Sequence, residues 1–187
     1  MALRDAVMAA LLDSEASGYD LAKGFDGSVA NYWAATPQQL YRELDRLAAE
    51  GLIVARVVEQ ERRPNKRVYN LTDEGRAAVR DFTEAPPRPS VMRDELLVKV
   101  AAVEGGSPDS VCAAIDEQVR RSTDKLERYE RLRARLLDGR SEEEFLADAP
   151  RVGPYLTLLR GISFEEENIR WGRRASAAIT ARTHRRP

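Results

Sequence analysis

Histidine and cysteine are nearly missing from this chain: one of each in 187 residues, His184 and Cys112. A lone cysteine cannot close an internal disulfide. A zinc site takes about four ligands from Cys, His and acidic residues, and the chain does not supply that set. A Ser-His-acid or Cys-His arrangement would depend on this one histidine, close to the end of the sequence, where fraying is expected. No GxxxxGK[ST] loop is present, and no GxGxxG follows a strand. Carboxylates alone remain for catalysis. They lie on helix faces among arginines, with no visible apolar pocket to raise a pKa. The chain reads as no enzyme, with no metal and no cofactor. Long apolar runs are also missing. Ala6 to Leu12 falls far short of the ~20 residues of a membrane span, and it lacks the basic start and cleavage site of a signal peptide. A cytoplasmic protein without membrane contact is expected.

Aromatic residues are scarce at 6%, whereas charged residues reach 33% and hydrophobic ones 43%. That balance suggests helices rather than a β-sandwich. Thirty basic residues against 31 acidic ones give a net charge of −1. There is no global basic field, so contact with nucleic acid would need a local patch.

Ala85-Pro86-Pro87-Arg88-Pro89-Ser90 interrupts any helix or central strand. It divides the chain into residues 1–85 and 90–187. In the first part Leu3, Val7, Ala10 and Leu11 recur at helical spacing. Ser17-Gly18-Tyr19-Asp20 has the S-x-x-D form of a helix start, followed by Leu21, Ala22 and Phe25. Thr36, Pro37 and Gln39 form a capping box with proline at the first position. Leu40, Leu44 and Leu47 make the buried stripe of this third helix, and Gly51 ends it. The period then changes. Residues 52–58 are rich in β-branched side chains and 68–71 alternate, so a β-hairpin is predicted around a polar turn at Pro64-Asn65. Thr72-Asp73-Glu74 caps a fourth helix that offers Ala77, Ala78, Val79 and Phe82 for burial. Three helices, a two-stranded hairpin and a helix follow the order of a winged helix-turn-helix.

At about 100° per residue, Gln38, Arg42, Asp45, Arg46 and Ala49 lie opposite the leucine stripe, with Tyr41 on the flank. Arginine pairs with guanine and glutamine with adenine in the major groove, and a recognition helix inserts its N-terminal half. A solvated face with ion pairs along one helix is the plainer reading of the same residues. The hairpin alters the weighing. From Arg56 to Arg67 there are five basic residues and two acidic ones, a plausible contact for phosphates. Arg62, Arg63, Lys66 and Arg67 are its candidate phosphate ligands. Double-stranded DNA is the expected partner.

In the second part, Ser107-Pro108 starts a helix in which Ile115, Val119, Ser122, Leu126, Tyr129 and Leu136 keep a heptad-like spacing. Gly139 closes it. Ser141 to Glu144 is another capping box, and Pro154 opens a long last helix lined by Tyr155, Leu158, Ile162, Ile169 and Ile179. Such narrow stripes serve either an intramolecular hairpin or a two-fold dimer. The dimer is preferred, with Ile115, Val119, Leu126, Tyr129, Leu158, Ile162 and Ile169 at its interface, because two half-sites lengthen a DNA site. After Glu167 come six arginines and no acid, read as a solvated end that complements the helix dipole.

Thr36-Pro37-Gln38-Gln39-Leu40-Tyr41-Arg42-Glu43-Leu44 through Glu50-Gly51-Leu52-Ile53 resembles the recognition-helix signature of the PadR family of transcriptional regulators. Gly18-Tyr19-Asp20-Leu21 is similar to that family's second helix, and Val68-Tyr69-Asn70-Leu71-Thr72-Asp73-Glu74-Gly75 to its wing strand and exit. Arg93-Asp94-Glu95-Leu96-Leu97-Val98-Lys99 resembles the opening of the longer C-terminal region in the virulence-activator-like subgroup. The resemblance implies a mainly α protein with a small β-hairpin: a winged helix-turn-helix, then a helical dimerisation region. It implies a sequence-specific DNA-binding regulator acting as a homodimer, with repression preferred over activation, that is released by a small aromatic or phenolic effector or acts without one, with Tyr19, Gln38, Gln39, Tyr41, Arg42 and Arg46 beside the wing at the DNA. Tyr32, Trp33 and Trp171 are available to stack on an effector, although packing is their plainer use. Gln38-Gln39 replaces residues that are commonly small in the family, so the operator sequence does not carry over. The alternative is a helical scaffold whose winged domain no longer binds DNA.

Overall fold

The computed structural model describes residues 2–12, 14–25, 35–59, 65–87, 89 and 93–183. Two compact units form, Met1–Arg88 and Pro89–Pro187, and the proline-rich segment at their junction explains the division.

In the N-terminal unit the order is α1 (Ala2–Ala10), β1 (Ala16–Ser17), α2 (Gly18–Phe25), α3 (Pro37–Ala49), β2 (Ile53–Val58), β3 (Lys66–Leu71) and α4 (Asp73–Glu84). Its core joins Val7, Met8 and Leu11 of the first helical segment to Leu21, Leu40, Leu44, Leu47, Ile53, Tyr69 and Leu71. The α3 capping box forms in full. The Thr36 hydroxyl accepts from the Gln39 backbone N–H at 3.2 Å, and the Gln39 amide oxygen accepts from the Thr36 N–H at 2.9 Å. Gly51 leaves the helix at φ 72°, a conformation glycine adopts at little cost.

The sheet has three strands, not the expected two, in the antiparallel order β1-β3-β2. Ala16 pairs with Tyr69 and Ser17 with Val68. Two residues are too few to display an alternating pattern, so β1 is recognisable only from its partner. Phe82 also departs from expectation: it is 51% exposed. The start of α4 is held more tightly. The Thr72 hydroxyl donates to the Gly51 carbonyl at 2.8 Å and accepts from the Gly75 N–H at 3.0 Å, and the Thr72 N–H donates to the Leu52 carbonyl.

The C-terminal unit contains α5 (Glu95–Ala101), α6 (Pro108–Leu137), α7 (Glu142–Asp148) and α8 (Gly153–Thr183). Helices α6 and α8, each roughly 45 Å long at 1.5 Å per residue, pack antiparallel. Near one end Cys112 Sγ lies 3.9 Å from the Ser176 carbonyl. In the middle Lys125 meets Glu165 at 3.2 Å. At the other end the Arg133 guanidinium donates to the Tyr155 hydroxyl. Gly172 permits the close approach, because a Cβ there would lie 2.5 Å from Val119 Cγ2.

This pairing takes up much of the expected dimer seam within one chain. Ile115, Tyr129, Leu158, Ile162 and Ile169 are buried within one chain. Leu126 packs on the Tyr129–Leu158–Ile162 cluster, and Val119 faces Gly172. The intramolecular hairpin thus buries five of the seven residues and packs against the other two, which stay partly exposed.

Candidate nucleic-acid interface

Helix α3 presents the face expected of it. Leu40, Leu44 and Leu47 are buried, while Gln38, Tyr41, Arg42, Asp45 and Arg46 are exposed. Gln39 is exposed as well, but its amide oxygen is committed to the cap. Tyr19, 68% exposed, extends from the first turn of α2. Tyr41, 44% exposed, lies against that turn. A Cβ on Gly18 would sit 2.3 Å from its ring, so glycine sets how closely α2 approaches α3.

The cations of this surface differ in their partners. Arg46 donates to Glu50 at 2.9 Å, and Glu50 also receives Arg4 at 2.8 Å. Hydrogen bonding from Arg46, then the charge of Arg4, holds the Glu50 carboxyl below its usual range. Arg56 on β2 pairs with Glu15. Lys66 at the start of β3 pairs with Asp20 of α2 at 2.6 Å, and this contact together with the Ser17 hydroxyl lowers the Asp20 pKa. Arg67 pairs with Asp45 of α3 at 3.2 Å and lies over the Tyr69 ring, 5.2 Å from its centroid. Arg42 has no acidic partner among the described residues. Arg62 and Arg63 lie outside the described residues, as do Tyr32 and Trp33.

The basic hairpin read from the sequence is therefore compensated in space. Arg56, Lys66 and Arg67 each meet an acid from another part of the unit: Glu15, Asp20 and Asp45. These acids are the residues that sequence reasoning missed. Asp20 was visible only as a helix-start residue and Asp45 only as part of a solvated face. Among the described residues no cluster of His, Cys, Asp and Glu could hold a metal ion, and no helix is long and apolar enough to cross a membrane. The site has exposed hydrogen-bonding side chains on a capped helix, beside an ion-paired strand root. That arrangement suits base edges and phosphates.

Comparison with known proteins agrees in both units. Residues 7–81 match the transcriptional regulator PadR-like family, and residues 92–180 match the virulence activator alpha C-terminal family. A probable transcriptional regulator of Mycobacterium tuberculosis is 33% identical over 179 residues, covering 91% of this chain and 94% of that protein. The negative transcriptional regulator PadR of Bacillus subtilis is 29% identical, covering 90% and 92% of the respective chains. The structure of B. subtilis PadR with operator DNA superposes with a TM-score of 0.78 at 27% identity, covering 95% of this chain and 97% of the other. The same protein with p-coumaric acid gives 0.70 at 26% identity, covering 95% of each. The winged helix-turn-helix, the paired C-terminal helices and these matches lead to one assignment: the chain belongs to the PadR-like family of DNA-binding transcriptional regulators, with a virulence-activator-type C-terminal region.

Proposed function

We propose that this protein is a homodimeric repressor that reads its operator through α3 and is released by a small aromatic acid. The observation that carries the reading is the exposed Gln38–Arg42 face on a fully capped helix, with Arg42 unengaged by any acid among the described residues. Gln38, Arg42 and Arg46 face base edges. Tyr19, Tyr41, Lys66 and Arg67 lie where phosphates run, and Arg62 and Arg63 extend that role into the wing. Repression and effector class draw support from B. subtilis PadR, a negative regulator whose structures contain operator DNA or p-coumaric acid. The test is binding to the protein's own upstream DNA across a salt series. Log affinity should fall with log salt by roughly 0.9 per phosphate neutralised, and p-coumarate, as the probe, should weaken operator binding. Salt-independent binding overturns the reading.

Most of the expected seam is buried inside the chain, so the proposed dimer uses further surface. Helix α8 carries such a surface. Gly161, Phe164, Asn168, Trp171, Ala175 and Ala178 follow 3-4 spacing, about 130° around the helix from Leu158, Ile162 and Ile169. Phe164 is 46% exposed. Small residues and two large aromatics on one seam suit knobs-into-holes packing against a second copy. The wild-type protein should sediment near about 42 kDa, twice the 21.0 kDa chain. Phe164→Glu should sediment as a folded monomer with unchanged helicity, since this side chain is not in the intramolecular core. A dimeric Phe164→Glu variant rejects the seam.

A further inference from the structure

Four cations of α3 and the hairpin strands, Arg46, Arg56, Lys66 and Arg67, each have a carboxylate beside them in the described structure, and the two at the start of β3 are paired with acids of α2 and α3. Asp20 is oriented without help from Lys66: the Ser17 hydroxyl donates to its carboxylate at 2.7 Å and accepts from its backbone N–H at 3.1 Å. Ser17 is itself buried and belongs to β1. Arg67 is likewise placed by stacking on Tyr69, whose ring is buried. The two ion pairs join three elements, α2, α3 and β3. All four charged side chains are about half exposed or more, apart from the somewhat more covered Lys66. Exposed pairs of this kind contribute little to stability. An acid next to a phosphate-binding cation has a clear cost for DNA binding, however, since it competes with the phosphate.

We propose that Asp20 and Asp45 act as internal counter-anions that latch Lys66 and Arg67, so that these cations reach the DNA backbone only when an operator draws the wing close enough to exchange carboxylate for phosphate. This rests on the DNA-binding reading above. On random DNA the latches stay closed and the two cations contribute little. On the operator, contacts from the α3 face hold the wing in place and the exchange occurs. The acids thereby lower nonspecific binding more than specific binding, and Asp20 and Asp45 set specificity without reading a base.

The experiment compares Asp20→Asn, Asp45→Asn and the double variant with wild type, on operator and on random duplex, each across a salt series. Asparagine keeps the shape and the hydrogen-bonding oxygen but removes the charge. Glu95→Gln, which removes one exposed acid from the C-terminal unit, controls for net charge. Each latch variant should bind random DNA about three- to tenfold tighter at moderate salt, with a slope steeper by roughly 0.9 per freed cation. Operator affinity should rise less, so the operator-to-random ratio falls. Unchanged random-DNA affinity and slope overturn the latch while leaving operator binding by wild type intact. Equal loss of operator and random binding, at an unchanged melting temperature, overturns it in favour of acids that merely position the wing. An equal gain from Glu95→Gln overturns it in favour of net charge. Absence of salt-dependent binding in wild type overturns the underlying DNA reading instead, and so is separable from failure of the latch.

Discussion

Arg42→Ala should lower the operator-to-random affinity ratio by about 5- to 150-fold, the equivalent of about 1–3 kcal/mol for one bidentate arginine–guanine pair. The size follows from where Arg42 stands. It projects from the face opposite Leu40, Leu44 and Leu47, all buried, and no acid among the described residues neutralises it. Loss of the side chain should leave the fold unchanged, because the core side of the helix and its Thr36–Gln39 cap are untouched. Random DNA should lose much less, since no base-specific pair forms there. Tyr41→Phe is the informative companion. If the Tyr41 hydroxyl donates to a phosphate, its loss weakens operator and random DNA by a similar and smaller factor, because a phosphate has no base identity. The measurement is the affinity ratio for each variant at one fixed salt concentration. An unchanged ratio for Arg42→Ala would reduce the face to ordinary solvated surface.

Gly75→Ala should destabilise the N-terminal unit by about 3 kcal/mol, the upper part of the range for forcing extra atoms into a packed site. A Cβ at this position would lie 2.1 Å from the Leu52 carbonyl oxygen and 2.9 Å from Leu71 Cδ2. The nearest atom is backbone, fixed by the turn that Thr72 ties to Gly51 and Leu52, so rotamer change cannot relieve the contact. For a domain of this size about 3 kcal/mol lowers the melting temperature by roughly 12–24 °C. Gly51→Ala is the control: it has open space around it but φ at 72°, so it should cost only about 1–2 kcal/mol of left-handed backbone strain. Thermal unfolding monitored on the N-terminal unit checks both. A Gly75→Ala variant melting within about 2 °C of wild type would mean that α4 can move away from Leu52 cheaply. Because α4 begins where β3 ends, the wing strand would also lose its anchor, and DNA binding should weaken with the fold.

Much of this protein is written locally. Capping boxes at Thr36–Gln39 and Ser141–Glu144 act over three residues, and both form. The leucine stripe of α3, the hairpin strands and the helix starts at Ser107 and Thr72 depend on neighbours within a few positions, so the sequence determined them and, with them, the winged helix-turn-helix and its outward face. What depended on distant partners was left to the tertiary structure. The two-residue β1 exists because β3 offers it a free edge. The stripe of Ile115, Tyr129, Leu158 and Ile162 has the same spacing whether it meets its own chain or another, and only the antiparallel closeness of α6 and α8 decided for the hairpin. The charge of the wing shows the difference most clearly. In the sequence Lys66 and Arg67 stand in a basic run, but their electrostatic neighbours are Asp20 and Asp45, 46 and 22 residues away along the chain. Coulombic attraction acts through space and not along the chain. The sequence therefore determined which residues carry charge, and the fold alone decided which of them remain unpaired.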